Sequence, residues 1–391
     1  MNDKILKDLF QAYYDTRRNK RNKPDAIRFE MDYERNLLAL ADEILAGKYE
    51  PGPSTCFIVD KPVKREIFAA SFRDRVVHHL IYNYINPIFE PRFINDAYSC
   101  RAGKGTAYGI KRLDHFIRSC SENYKKECYI LKLDIKGYFM SINRNILYNK
   151  IKIIIEREYE RKRESNFLPP FKWLIELMHK IIFHDPTKNC FIKGRRDDWA
   201  GLPKSKSLFS ARQNCGLPIG NLTSQLFGNI YLNAFDHFVK GALGIRYYGR
   251  YVDDMVFVHY DKRHLKAVIL EIKDYLEREP RLELHERKIC LQHFIKGVKF
   301  LGAFIKPYRI YIDKRTKGNF YARIRAWNNL LAAGKNELDD ERTKNIIAAA
   351  NAYLGLMKHY QAARLRRKML NYFSFYFWNY FYIKDNVLRK R

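Results

Sequence analysis

Apolar positions recur at helical spacing in the first 48 residues, at Leu6, Leu9 and Phe10 and again at Leu37, Leu38, Leu40 and Ile44, which predicts helices. A Pro/Gly break opens PGPSTCFIVDKPVKREIFAA (51–70). Its two short apolar runs joined by a basic turn predict a hairpin. DRVVHHLIYNYINPIF (74–89) reads as a helix interrupted at Pro87. In CYILKLDIKGYF (128–139), Tyr129, Leu131 and Leu133 alternate as in a strand that ends at Asp134. Residues 143–183 are mostly helical around a break at Pro169 and Pro170, and 184–215 form a polar, basic loop region. Helical patterns at 220–243 and 264–279 flank two strand runs in RYVDDMVFVHY (250–260). Further strands follow in LELHERKICLQHF and VKFLGAFIKPYRIYI, and 317–382 is helical, basic and aromatic. Helix alternating with strand, without a βαβ glycine fingerprint, predicts an α+β fold with helical attachments.

The chain has 391 residues, 47% of them apolar, enough for two or three packed lobes. Lys and Arg total 73 against 43 Asp and Glu, a formal net charge of +30. Such an excess points to a polyanionic partner, nucleic acid first and an anionic membrane surface second. The 28 Tyr and 26 Phe add rings on which bases could stack. No apolar run is long enough to span a bilayer, and the N-terminus lacks the pattern of a signal peptide. Seven scattered cysteines without a CxxC argue against a zinc module and suit a reducing, cytoplasmic location.

Asp253 and Asp254 stand side by side between apolar runs. Adjacent residues of a straight strand point to opposite faces, so both reach one site only at the tip of a tight hairpin. Asp134, at the end of its own apolar strand, is the natural third carboxylate. Close carboxylates repel unless a cation lies between them. Mg²⁺ fits, being hard, oxygen-seeking and commonly shared with substrate phosphates. The bland alternative is a solvated Asp turn, against which stand the apolar flanks Met255, Phe257 and Val258.

Tyr251-Val252-Asp253-Asp254 with LDIKGYF upstream resembles the palm of a reverse transcriptase. The similarity runs in order over most of residues 50–305. KREIFAASFRDRVVHHLI resembles the fingers, AYSCRAGKGT a template-side loop, and GLPIGNLTSQ the segment between the catalytic motifs. LELHERKICLQ and VKFLGAFI resemble the last palm motifs. The resemblance implies a right-hand polymerase fold with fingers, an antiparallel-sheet palm and a helical C-terminal thumb. It divides the chain into an N-terminal extension with fingers (1–110), a first palm segment (111–150) and a fingers or insertion region (151–214). A second palm segment (215–305) and a basic thumb (306–391) complete it.

Carried over residue by residue, Asp134 and Asp253 would bind two Mg²⁺ ions, with Mn²⁺ able to substitute and Asp254 close by. Arg65 and Arg73 match positions that meet the incoming dNTP triphosphate, as forked guanidinium groups can. The alternative for Arg73 is a salt bridge to Asp74. Phe139 matches a ring under the sugar that excludes a 2′-OH, unless it is core and Tyr138 faces the sugar. Lys288 either touches the nucleotide or pairs with Glu286. Phe300, Leu301 and Gly302 match the turn supporting the primer end, with an ordinary strand glycine as the alternative at Gly302. Arg364, Arg366, Arg367 and Lys368 would track a phosphate backbone, and most rings from Tyr372 to Tyr382 would be thumb core.

Ile219-Gly220 through Gln225 departs from the commoner Gln-Gly form and resembles the reverse transcriptases of diversity-generating retroelements, which misincorporate opposite adenine. An apolar side chain in place of an amide would enforce pair geometry less strictly; the alternative is a packing variant of ordinary fidelity. The implied partners are an RNA template, a DNA or RNA primer and dNTPs. A small basic accessory protein, or a companion reverse transcriptase or effector, is also implied, and no membrane. An antiphage defence reverse transcriptase copying a noncoding RNA is the nearest alternative. A catalytically silent RNA-binding protein on a polymerase scaffold is the alternative of another class.

Overall fold

The computed structural model describes residues 2–18, 20–60, 63–161, 168–333, 339–358 and 360–391. The chain begins with helices α1 (Asn2–Arg17), α2 (Pro24–Glu30) and α3 (Tyr33–Leu45). Strands β1 (Ser54–Val59) and β2 (Arg65–Ala69) lead to α4 (Phe72–Phe89) and α5 (Thr106–Cys120). Next come β3 (Tyr129–Asp134), α6 (Tyr138–Ser141), α7 (Arg144–Arg161), α8 (Phe171–Phe183) and β4 (Cys190–Ile192). Helix α9 (Leu222–Lys240) precedes β5 (Tyr247–Tyr251), β6 (Asp254–His259) and α10 (Lys262–Arg278). Strands β7 (Cys290–His293), β8 (Val298–Phe300), β9 (Ala303–Lys306) and β10 (Arg309–Ile312) follow. Helices α11 (Lys314–Ala332), α12 (Asp340–Lys358), α13 (Ala363–Leu370) and α14 (Phe375–Tyr380) then precede β11 (Phe381–Lys384) and β12 (Val387–Lys390).

The chain divides into two units. The first comprises Met1–Gly105, Leu131–Phe257 and Arg263–Cys290; the second comprises Thr106–Ile130, Val258–Lys262 and Leu291–Arg391. In the first unit the apolar stripes of α1, α3 and α4 bury Leu9, Leu37, Leu40, Val77 and Ile81, as amphipathic helices must. Helix α4 is capped by Ser71, whose hydroxyl accepts from the Asp74 N–H, and runs to Phe89 with Pro87 inside it. The expected interruption does not occur. Proline withholds one N–H near the end of the helix, while buried Ile85, Ile88 and Phe89 hold the last turn in place.

Strands β1 and β2 pair antiparallel, Cys56 opposite Phe68, and β4 adds in parallel to β1. Glu66 on β2 is almost fully buried. It is satisfied by Trp199 Nε1 at 2.6 Å, Ser207 Oγ at 2.8 Å and the Leu208 N–H at 2.6 Å, which ties the basic loop region to the sheet. Helix α9 buries Leu226, Phe227, Ile230, Tyr231 and Phe235. A four-stranded sheet has the order β5-β6-β3-β7. It therefore lodges β3 between strands much later in the chain.

In the second unit, β8, β9 and β10 form an antiparallel meander. Its helices close on Phe320, Ile324, Leu354, Phe373 and Phe377. Among the rings from 372 to 382, Phe373, Phe377 and Phe381 are buried at helical spacing, whereas Tyr372, Phe375, Tyr376 and Tyr380 are exposed. The expectation that most of them are core is thus corrected to these three, with Trp378 packed partly buried against them. The hairpin β11–β12 was also not expected from the helical pattern. Its turn residues Asp385 and Asn386 both have positive φ, the hairpin-turn conformation that Asp and Asn tolerate. Among the described residues no helix is long and apolar enough to cross a membrane.

Candidate active site

Asp134 ends β3, whose Ile130, Leu131 and Leu133 are buried. Its backbone carbonyl accepts the His285 N–H at 2.8 Å. Strand β5 stops at Tyr251 and β6 starts at Asp254; Val252 between them has a φ of 56°. The left-handed turn breaks the strand's alternation, and this frees Asp253 and Asp254 from opposite faces.

A buried network holds this turn. The Arg250 and Asp236 side chains have no exposed surface. Arg250 donates from Nε to Asp236 Oδ1 at 2.7 Å, from Nη2 to Oδ2 at 2.5 Å and from Nη1 to the Val252 carbonyl at 2.9 Å. Tyr248 donates its hydroxyl to Asp236 Oδ1 at 2.7 Å. The Val252 N–H donates to Ser99 Oγ at 3.3 Å, and Ser99 Oγ donates to Asn229 Oδ1 at 2.9 Å. Both polar groups of the Val252 backbone are thereby anchored to side chains that cannot relax into water.

The three carboxylates act on one another. Burial, then Asp134, then Asp254 push the Asp253 carboxyl up to about 7. Burial also raises Asp254, opposed first by Lys132, whose Nζ lies 3.8 Å away. Lys288 Nζ donates to both Asp134 oxygens at 2.8 Å. The expected pairing of Lys288 with Glu286 is corrected: its partner is Asp134, and Glu286 pairs with Lys273 at 3.3 Å. Among the described residues no three His, Cys, Asp or Glu side chains close on one point that could hold an ion. The donor chemistry nonetheless fits Mg²⁺. These are hard oxygen donors in mutual repulsion, one already gripping a cationic ammonium. Mg²⁺ is commonly held by one or two carboxylates, with waters and substrate phosphates completing its shell.

The other expected residues divide. Arg65 is exposed at the start of β2, and its charge acts on the Tyr251 hydroxyl beside the Val252 turn. Arg73 is engaged within the protein: it pairs with Glu43 and with Asp74 at 3.4 Å, and lies 5.0 Å over the Tyr49 ring. A triphosphate would have to displace those partners. Tyr138 is the buried ring of its pair, its hydroxyl donating to the Gly228 carbonyl. Phe139 is only partly buried and, like Ile219, packs against the buried cluster of Cys56, Phe68, Met140 and Leu208. The Ile219 carbonyl accepts the Phe68 N–H at 2.8 Å. Gly220 has a φ of 133°, and a side chain there would strike the Phe68 carbonyl at 2.7 Å. Gln225 is exposed in the first turn of α9.

In the second unit, Phe300 is buried and pairs with Ala303 across a two-residue turn. Leu301 and Gly302 both have positive φ, 49° and 83°, as such hairpin turns require. A Cβ on Gly302 would meet nothing within 4 Å, so its backbone angle, not close packing, calls for glycine. Arg364, Arg367 and Lys368 are exposed on α13 and Arg366 is partly exposed.

Sequence reading missed Arg250, Asp236 and Lys132. The one available signal was an arginine in an otherwise buried strand, which must find a buried acid.

A family model described as reverse transcriptase (RNA-dependent DNA polymerase) matches residues 60–305. Protein YkfC of Escherichia coli (strain K12) is 23% identical over 355 residues, 81% of this chain and 79% of YkfC. Nuclear intron maturase 4, mitochondrial, of Arabidopsis thaliana is 24% identical over 200 residues, 51% of this chain and 20% of that protein. Among solved structures, apo telomerase from Candida tropicalis truncated from its C-terminal domain aligns at a TM-score of 0.47 and 15% identity. That alignment covers 72% of this chain and 60% of the telomerase chain.

Proposed function

Because the chain belongs to the reverse transcriptase family, we propose that it synthesises DNA on an RNA template, with Asp134, Asp253 and Asp254 as its catalytic carboxylates. Its mixed helix and sheet architecture is the right-hand polymerase fold of that family. The observation that carries the site is the left-handed Val252, whose φ of 56° releases Asp253 and Asp254 from opposite strand faces, within reach of the charge of Asp134. Two Mg²⁺ ions bound there would lower the pKa of the primer 3′ hydroxyl and neutralise the leaving pyrophosphate. Asp134 and Asp253 would hold the ions, and the Arg250 network fixes the turn that carries Asp253. Arg65 meets the triphosphate, Phe139 underlies the sugar, and Phe300 to Gly302 support the primer end.

Primer extension with Mg²⁺, dTTP and a poly(A)–oligo(dT) hybrid tests this reading. Asp134→Asn and Asp253→Asn should each fall to background. Undiminished synthesis by either variant would sink the proposal, and RNA retention without extension would favour a silent RNA-binding scaffold.

Within the family we place the chain with the reverse transcriptases of diversity-generating retroelements, working with a small basic accessory protein. The support is the Ile219-Gly220 to Gln225 motif, with an apolar side chain at 219 that packs against the cluster of Cys56, Phe68, Met140 and Leu208. Sequencing of the cDNA should show errors concentrated at template adenines; errors spread evenly over all four bases would remove this assignment.

A further inference from the structure

A cleft of 620 Å³ opens in the second unit, among residues that the catalytic reading does not use. Three of its features complement three parts of one ligand.

The first is an aromatic run from core to surface. Phe294 is buried; Tyr124 stacks on it with centroids 5.9 Å apart and rings 18° from parallel. Tyr308 meets Tyr124 edge-to-face at 4.5 Å and stays 77% exposed. One ring is therefore braced from behind and open in front, which is what a stacking base needs.

The second is charge. Arg118, Arg309 and Lys358 line the cleft. Arg309 is braced by the Tyr311 ring, 5.0 Å from its guanidinium. Arg118 and Lys358 lie in the last turns of α5 and α12, where cations are favoured. The third is an acceptor: the Asp114 carboxylate also lines the cleft, hydrogen-bonded to the Tyr124 side chain and facing Arg118, with lone pairs left for N–H groups of a base edge.

The backbone supports a functional reading. Glu122, Asn123 and Tyr124 are consecutive left-handed residues, and Tyr308 is a fourth, with φ of 48°, 57°, 70° and 63°. L-residues disfavour this conformation, a tyrosine more than an asparagine. Tyr308 takes this angle in the turn between β9 and β10 and Tyr124 in the turn after α5, so two turns fix the backbones that carry the paired rings.

We propose that this cleft binds one nucleotide of a single-stranded nucleic acid, the base stacking on Tyr308 and the phosphate on Arg118, Arg309 and Lys358. It is a second nucleic-acid subsite, built from residues other than the catalytic carboxylates.

The test uses the full chain carrying Asp134→Asn, so that it reads binding apart from synthesis. Oligomers of about ten nucleotides, RNA in one arm and DNA in the other, carry 5-bromouracil for photocrosslinking. Crosslinks should map to Tyr308 or Tyr124. Tyr308→Ala should weaken binding roughly tenfold and Tyr308→Phe should restore it. Arg309→Gln and Lys358→Gln should each reduce the salt slope by about 0.7. Unequal affinity in the two arms identifies the strand, and either strand supports the proposal. Unchanged affinity in a Tyr308→Ala, Arg309→Gln, Lys358→Gln triple variant overturns it, as do crosslinks confined to other segments. Equal competition by uridine monophosphate, or displacement by an acidic peptide at the same concentration, overturns the assignment to a strand. Primer extension by the unmodified chain is scored separately, so failure here leaves the polymerase reading standing.

Discussion

Arg250 and Asp236 meet in a two-pronged ion pair with neither side chain exposed. The guanidinium's remaining reach goes to the carbonyl of Val252, one residue before Asp253. Removing one partner strands the other charge away from water. Asp236→Leu or Arg250→Met should each cost about 3–5 kcal/mol, read as a shifted urea midpoint. The double variant should be less destabilised than either single one. An unshifted midpoint in both single variants would show that the pair contributes nothing to stability.

Lys288 competes with any other cation for Asp134, since its ammonium contacts both oxygens. The pair is partly exposed, so its worth is about 1 kcal/mol. Lys288→Ala should therefore tighten Mn²⁺ binding by the free protein about fivefold, measured from the EPR signal of unbound Mn²⁺. Adding Asp134→Asn should cancel the gain. Weaker Mn²⁺ binding by Lys288→Ala would mean that the lysine organises the carboxylates rather than competing for them.

His78 is buried on α4, with Nδ1 2.8 Å from Thr223 Oγ1. Burial lowers its pKa from 6.5 to about 4. The folded state thus resists a proton that the unfolded chain accepts. The contribution is complete above about 6.5, declines as pH falls towards 4, and amounts to roughly 3 kcal/mol. Unfolding free energies at a series of pH values should fall less steeply for His78→Gln than for the wild type over that window. Parallel curves would assign the acid sensitivity to other groups.

Gly249 lies in β5 against Tyr98. A methyl group there would stand 2.8 Å from the ring Cζ and closer still to the hydroxyl. Gly249→Ala should cost about 1–3 kcal/mol by overpacking. Shortening the opposing ring, as in Gly249→Ala with Tyr98→Leu, should recover part of it. Both can be followed by thermal unfolding. A fully stable single variant would show that β5 moves away from Tyr98 without penalty.

Much of this architecture was legible because period and burial agree. The alternation of Tyr129, Leu131 and Leu133 located Asp134 at a strand end, and the apolar flanks of Asp253 and Asp254 marked a hairpin tip. What could not be read depends on pairs far apart in the chain. Nothing near Lys288 announces Asp134, so local reasoning offered Glu286. Arg250 looks like one more base in a basic protein until Asp236 is found opposite it. Pro87 reads as a stop because the local rule omits the buried residues that hold the helix beyond it. Asp385-Asn386 was a turn signal overshadowed by the aromatic run before it.

The order of the four-stranded sheet has a consequence for how the protein comes into being. A strand at 129–134 cannot find its place until those at 254–259 and 290–293 exist to flank it. Distant pairings of this kind are reached late, after much loop entropy has been lost. During translation the early half of the chain must wait on the ribosome, its central strand unmatched and its positive charge already on display. Until residues 290–293 have emerged, the strand that ends at Asp134 lacks one of its two flanking partners.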